Sequence, residues 1–246
     1  MARLKQLQEV HPDYQADQSK LFDAKIVADW PKYVHDPPWD AVRQFEVDRL
    51  FQLVSPHRIL NVGCGCGYHD VLMARKPGVE SVTGIDYSSV SVAKANEVYS
   101  HPSVNRQMVD LLAMQPDSFD MAVSFQVIEH VDDPRAFLAA CARQVRSGGW
   151  VATLTPNSAK LYNRLRRLVG RPPALEDSWH FREYTIPELV EMGAESGLVY
   201  ESSFGYMMTL PVPKTGWQLI PWRAGLTLGH MFPGIAHRFC VVMRKL

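Results

Sequence analysis

Short apolar runs alternate along the chain with longer stretches in which apolar positions recur every three or four residues, the signature of strand and helix in turn. Residues 58–62, 81–85, 104–109, 119–124, 146–155, 198–204 and 239–245 read as strands. Between them, 68–76, 88–99, 134–145 and 185–196 read as helices, with Asp132 and Asp133 placed to cap the third, Pro187 early in the fourth and Gly197 at its end. A further periodic stretch, 40–54, predicts a helix leading into the first strand. This alternation predicts an α/β fold with a doubly wound, parallel sheet.

The first strand ends in an unusual loop. Residues 58–70 read RILNVGCGCGYHD, an apolar run that breaks into glycines at alternate positions, Gly63, Gly65 and Gly67. Glycine removes the Cβ that would keep a backbone from a ligand or forbid positive φ. A dinucleotide fingerprint needs G-x-G-x-x-G, but here the third glycine comes one position early and Tyr68 stands where that pattern has glycine. The spacing therefore disfavours a nicotinamide-linked dehydrogenase. Asp86, 19 residues beyond Gly67, ends the second strand where an acid accepts hydrogen bonds from ribose hydroxyls.

With its flanks, this loop resembles motif I of the class I methyltransferases that use S-adenosylmethionine (SAM). Ordered matches extend over 58–155, including Asp110 with Leu111 after the third strand and RSGGWVATLT (146–155), similar to the family's glycine-pair turn into the fifth. The resemblance implies a Rossmann-like sheet of seven strands, mostly parallel, with an antiparallel last strand between its two neighbours and helices on both faces. It implies SAM as cofactor, with Asn61, Gly63, Gly65 and Gly67 at the methionine portion, Asp86 and Tyr87 at the ribose, Asp110 and Leu111 at the adenine, and Gln126 also beside the cofactor. The family usually carries an acid at the position of Asn61. A neutral amide brings no charge toward the SAM ammonium group, so weaker cofactor binding is expected.

At 246 residues the chain suits one domain: a helical cap (1–54), a SAM-binding core (55–155) and two acceptor-side insertions (156–184 and 206–237). With 26 basic and 26 acidic residues the net charge is zero, so a long nucleic-acid partner is not expected. Cys64, Cys66, Cys141 and Cys240 form no C-x-x-C motif. Together with an N-terminus unlike a signal peptide and no apolar run of spanning length, this predicts a cytoplasmic protein. A homodimer is a further expectation.

The segment 126–131, QVIEHV, follows the fourth strand at the expected acceptor mouth. In a helical turn, Gln126, Glu129 and His130 would share a face. The stretch 179–184, WHFREY, adds His180 and Tyr184. These stretches resemble the ubiquinone-pathway O-methyltransferases and the 2′-O-methyltransferases of small-RNA ends, in which two glutamates and one or two histidines hold a divalent ion. Glu129, His130 and His180 match, with Gln126 in place of the first glutamate, implying a weakly held Mg²⁺. His130 and His180 are also general-base candidates, and Tyr184 either orients substrate or packs. Lys160, Arg164, Arg166, Arg167 and Arg171 with Leu161, Leu165 and Leu168 read as a basic amphipathic helix, attracting an anionic acceptor or forming a solvated face. The second insertion, with Trp217, Leu219, Trp222, Met231 and Phe232, reads as a lid, a dimer surface or an interfacial anchor. The resulting expectation is an O-methyltransferase acting on a hydroxyl of a sugar, glycan or similar small metabolite, anionic or lipid-linked. An RNA-end or quinone acceptor and a non-catalytic SAM-binding partner subunit are the alternatives.

Overall fold

The computed structural model describes residues 23–24, 27–28, 37–177, 179–211 and 220–246. Most of the expected cap, and Trp217 and Leu219 of the second insertion, lie outside them. The strands are β1 (Arg58–Val62), β2 (Ser81–Asp86), β3 (Val104–Met108), β4 (Phe119–Phe125), β5 (Val145–Pro156), β6 (Leu198–Tyr206) and β7 (Arg238–Lys245). They form one sheet in the order β3-β2-β1-β4-β5-β7-β6. The pairings from β3 through β5 are parallel, whereas β7 is antiparallel to both β5 and β6. The expected antiparallel strand is thus in its expected place.

The helices are α1 (Pro37–Leu50), α2 (Tyr68–Ala74), α3 (Ser89–Val98), α4 (Pro134–Gln144), α5 (Leu161–Leu168), α6 (Ile186–Ala194) and α7 (Trp222–Met231). Because successive strand residues face opposite ways, the strands other than the edge strand β3 feed two cores. Phe239, Val241 and Met243 pack with Phe137 and Leu138 of α4 and with Leu189 and Met192 of α6. Cys240 and Val242 pack on the other side with Val47 and Leu50 of α1 and with Leu72 and Met73 of α2. Local capping sets the helix starts. Asp133, and not Asp132, accepts from Ala136 N at α4, and Thr185 with Glu188 forms a reciprocal capping box at α6.

The insertions fold in ways their composition did not announce. In the first, Asn163 is buried and ties Ser158 O and Ala174 O together through its amide, closing the loop around α5. Lys160 is also buried, its ammonium 2.8 Å from Glu183, so it does not belong to the expected basic face. Tyr206 belongs to β6, and the second insertion starts beyond it. There α7 lies close on the chain because a Cβ at Gly225 would meet Met208 O at 2.6 Å, and one at Gly229 would meet Tyr206 C at 2.6 Å. Among the described residues no helix is long and apolar enough to cross a membrane.

Candidate active site

The strand order reverses between β1 and β4, and open α/β sheets bind ligands in the crevice at such a point. Gly63 (φ 71°) donates to Ile85 O at 2.8 Å and Gly65 (φ 51°) donates to Asp86 Oδ2 at 2.9 Å. Among the described residues, its chain neighbours aside, no atom lies within 4 Å of a Cβ built at Gly65. Gly67 differs: its Cβ would stand 2.6 Å from Arg106 Nε, so it faces the protein and does not line the crevice. Arg106 donates to Asp70 Oδ2 (2.6 Å), Gly67 O (3.0 Å) and Tyr99 O (2.8 Å). Asn61 likewise turns behind the loop, its amide donating to Asp70 Oδ1 at 2.6 Å. Asn61 was expected to face the methionine portion. Instead the acidic charge sits at Asp70, buried and paired with Arg106.

The crevice opens into a cavity of about 870 Å³. Its lining includes Val62, Gly63, Gly65, Asp86, Tyr87 and Leu111. Burial raises the Asp86 pKa, against the backbone N–H groups of Ser88 and Gly65, which each donate to one carboxylate oxygen at 2.9 Å. A carboxylate has about four acceptor sites, so further donors can be received. Asp110 does not line the cavity. Its Oδ1 accepts from Leu112 N (2.8 Å) and Tyr87 OH (3.0 Å), leaving Val109, Leu111 and Leu112 as the wall where it was expected. Burial, with the Asp110 carboxylate, pushes the Tyr87 phenol to about 12.

Gln126, Glu129, His130 and His180 line the same cavity. Gln126 has φ 57°, outside the single turn Ile128–His130, so the expected shared helical face is absent. Its amide instead donates to Tyr206 OH (3.1 Å), and its Oε1 is buried without a partner. Glu129 is fully buried, with Oε2 accepting from Thr155 Oγ1 (2.9 Å) and Oε1 unpartnered. Burial pushes its pKa up to about 7, against the pull of His180. Phe181 N donates to Glu129 O (2.8 Å), which brings the insertion onto the turn. The His130 and His180 rings meet edge-on at 4.8 Å. His180 Nδ1 is hydrogen-bonded to Glu183 Oε1 (3.2 Å), and His130 Nδ1 to Trp179 O (3.3 Å). One ligand atom from each of Glu129, His130 and His180 lies within 4.8 Å of the others. Tyr184, by contrast, is buried in the core and does not line the cavity.

Residues 60–153 match the methyltransferase domain family. The chain is 36% identical over 160 residues to a ubiquinone biosynthesis O-methyltransferase of Thiobacillus denitrificans, covering 60% of this chain and 67% of that protein. It is 36% identical over 192 residues to the enzyme of the same name from Chromobacterium violaceum, covering 72% and 81%. This chain belongs to the class I SAM-dependent methyltransferases. The fold agrees with that of the N-methyltransferase NodS of Bradyrhizobium japonicum, solved with S-adenosylhomocysteine, at TM-score 0.55 and 15% identity over 87% of this chain and 91% of that one.

Several cavity residues of this methyltransferase carried no sequence signal. Glu46 of α1 meets His69 of α2, with His69 Nε2 at 2.8 Å from Glu46 Oε2 and the His69 ring stacked on Phe125 at 3.9 Å. Arg238 pairs with Glu176 and lies over the Trp39 ring at 4.6 Å. These partners stand far apart in the chain, and no local spacing couples them. Glu183 was likewise missed as a support for His180. Burial opposes its ionisation, but His180 and Lys160 hold its carboxyl below the usual range.

Proposed function

We propose that this methyltransferase transfers the SAM methyl group to a hydroxyl oxygen of a small polyhydroxylated acceptor, a sugar, glycan or similar metabolite. The observation that carries the reading is the convergence of Glu129, His130 and His180 on the cavity that Gly63, Gly65 and Asp86 also line. A sulfonium leaving group needs no proton, so the protein's work is to hold methyl and oxygen in line and to take the hydroxyl proton. In this reading Asp86 receives the ribose hydroxyls, and Leu111 with Val109 packs on the adenine. Gly63 and Gly65 admit the methionine portion. His180, whose Nδ1 is tied to Glu183, presents Nε2 as the proton acceptor, with His130 beside it.

The same cluster fits a divalent cation, because Glu129 Oε1 is buried without a hydrogen-bond partner among the described residues and one ligand atom of it and of each imidazole lies within 4.8 Å of the others. Bound there, a cation would lower the pKa of a coordinated hydroxyl. Two imidazoles and one carboxylate suit Zn²⁺ or Co²⁺ better than the hard Mg²⁺.

A second reading, a hydroxylated quinone-precursor ring, is supported by the names of the relatives and by the apolar walls Trp39, Phe125 and Val127. A panel of nucleotide sugars, free glycosides and dihydroxybenzoates, followed by S-adenosylhomocysteine release and by NMR location of the new methyl, separates the two. Turnover confined to the dihydroxybenzoates selects the ring, and methylation only at nitrogen or sulfur rejects oxygen transfer.

A further inference from the structure

A second cavity, of about 470 Å³, lies between α1 and α7 and shares no described lining residue with the larger one. Phe45, Asp48 and Arg49 reach it from α1, and Arg223, Leu226 and His230 from α7, at spacings of three, four and seven residues that put each set on one helix face. Arg49 Nη2 stands 2.5 Å from His230 Nε2. A guanidinium can only donate, so Nε2 accepts and the ring proton sits on Nδ1. Burial and the Arg49 charge, which lower the His230 pKa, favour this neutral ring. Two donors are then left over. His230 Nδ1 and Arg49 Nε are both buried without a hydrogen-bond partner among the described residues. Such donors cost free energy until an acceptor reaches them. The charge is unbalanced in the same sense. Asp48 is the one carboxylate on this cavity among the described residues and pairs with Lys76, and none pairs with Arg49 or Arg223.

We propose that the cavity between α1 and α7 is a binding site for a phosphate group, free or carried by a small metabolite, with Arg49, Arg223 and His230 as its donors. A phosphate brings acceptor oxygens in three directions and a charge of roughly −1.5 to −2, which matches two guanidinium groups that no carboxylate neutralises. A carboxylate brings two oxygens in one plane and half the charge. The volume leaves space beyond a phosphate group, and Phe45 and Leu226 give that space apolar walls. The site stands apart from methyl transfer and does not depend on which acceptor is methylated.

The test is calorimetry of the full chain saturated with S-adenosylhomocysteine, so that the larger cavity is filled, titrated in turn with inorganic phosphate, glucose 6-phosphate, glucose and succinate. The expected result is saturable binding of inorganic phosphate, of glucose 6-phosphate or of both, and none of glucose. Inorganic phosphate binding the tighter assigns the free ion, and glucose 6-phosphate binding the tighter assigns a phosphorylated metabolite. Arg223→Ala, at an exposed side chain, removes charge-assisted hydrogen bonds and weakens binding roughly tenfold or more. Arg49→Met, which keeps the apolar stem, does the same, and both variants bind S-adenosylhomocysteine like the wild type. Absence of saturable phosphate binding, binding seen only without S-adenosylhomocysteine, succinate bound as tightly as phosphate, or wild-type phosphate affinity in Arg223→Ala overturns the proposal.

Discussion

Asp86 serves two ends at the residue scale, since its oxygens hold Gly65 N and Ser88 N while facing the cavity. Replacing Asp86 by Ala removes a charge-assisted acceptor, a loss of roughly 1.5–3 kcal/mol, so SAM binding falls at least tenfold by calorimetry. Asp86→Asn, which keeps a carbonyl acceptor, falls less. Unchanged affinity in a folded Ala variant rejects the ribose assignment. Among the described residues a Cβ at Gly65 meets nothing within 4 Å beyond its chain neighbours, although the φ of 51° strains the loop for any side chain. The expected signature of Gly65→Val is therefore loss of SAM out of proportion to loss of stability.

Glu129 gives a pH prediction. A carboxyl whose folded pKa is about 7, against an ordinary 4.5, binds its proton more tightly when folded. Below 4.5 both states are protonated and no penalty exists. Between 4.5 and 7 the penalty on the folded state grows, reaching about 3 kcal/mol above 7. In metal-free protein, Glu129→Gln is therefore expected to gain stability relative to wild type as pH rises from about 4.5 to 7.5. Denaturation curves that keep a constant gap over this range contradict the raised pKa of the buried carboxyl.

At the scale of elements, the glycines of α7 decide how closely that helix lies on the chain after β6. Gly229→Val would drive a branched side chain into the Tyr206 backbone, costing roughly 1–3 kcal/mol. It would also disturb Tyr206 OH, the acceptor of the Gln126 amide. A thermal midpoint unchanged from wild type rejects this close docking. The sheet and its flanking helices were legible because short apolar runs, helical periodicity and caps are local properties. Helix α7 was not, because a segment rich in glycine and aromatic residues has weak intrinsic helical preference and is held by what it packs on. For α5 the basic face was legible, but not that Lys160 turns inward to Glu183.

At the scale of the molecule, the turn after β4 and the end of the first insertion must meet for the acceptor end to exist, and the Phe181 N to Glu129 O bond joins them. Chelation separates base from cation there. If a cation is used, EDTA abolishes turnover without changing SAM affinity, and Zn²⁺ or Co²⁺ restores it at lower concentration than Mg²⁺. If imidazole acts alone, chelation has no effect, and His180→Ala slows turnover roughly 10²- to 10⁴-fold. Full activity of both His130→Ala and His180→Ala, with and without chelator, leaves positioning alone to account for catalysis.

The sequence by itself determined the strand succession, helices α1 to α6, the glycine loop and the acid at the end of β2, because each is written in neighbouring positions, whereas His180 was joined to Glu129 and His130 only through the family resemblance. Tertiary structure alone decided which way side chains turn at the loop ends. Asn61 and Gly67 face the Asp70–Arg106 pair, Asp110 is engaged by Tyr87, and Gln126 leaves its turn for Tyr206. The Glu46–His69 contact likewise needs α1 and α2 brought together. Backbone periodicity is set by nearest neighbours, whereas a buried polar group must find its partner among residues that only the folded chain brings within reach.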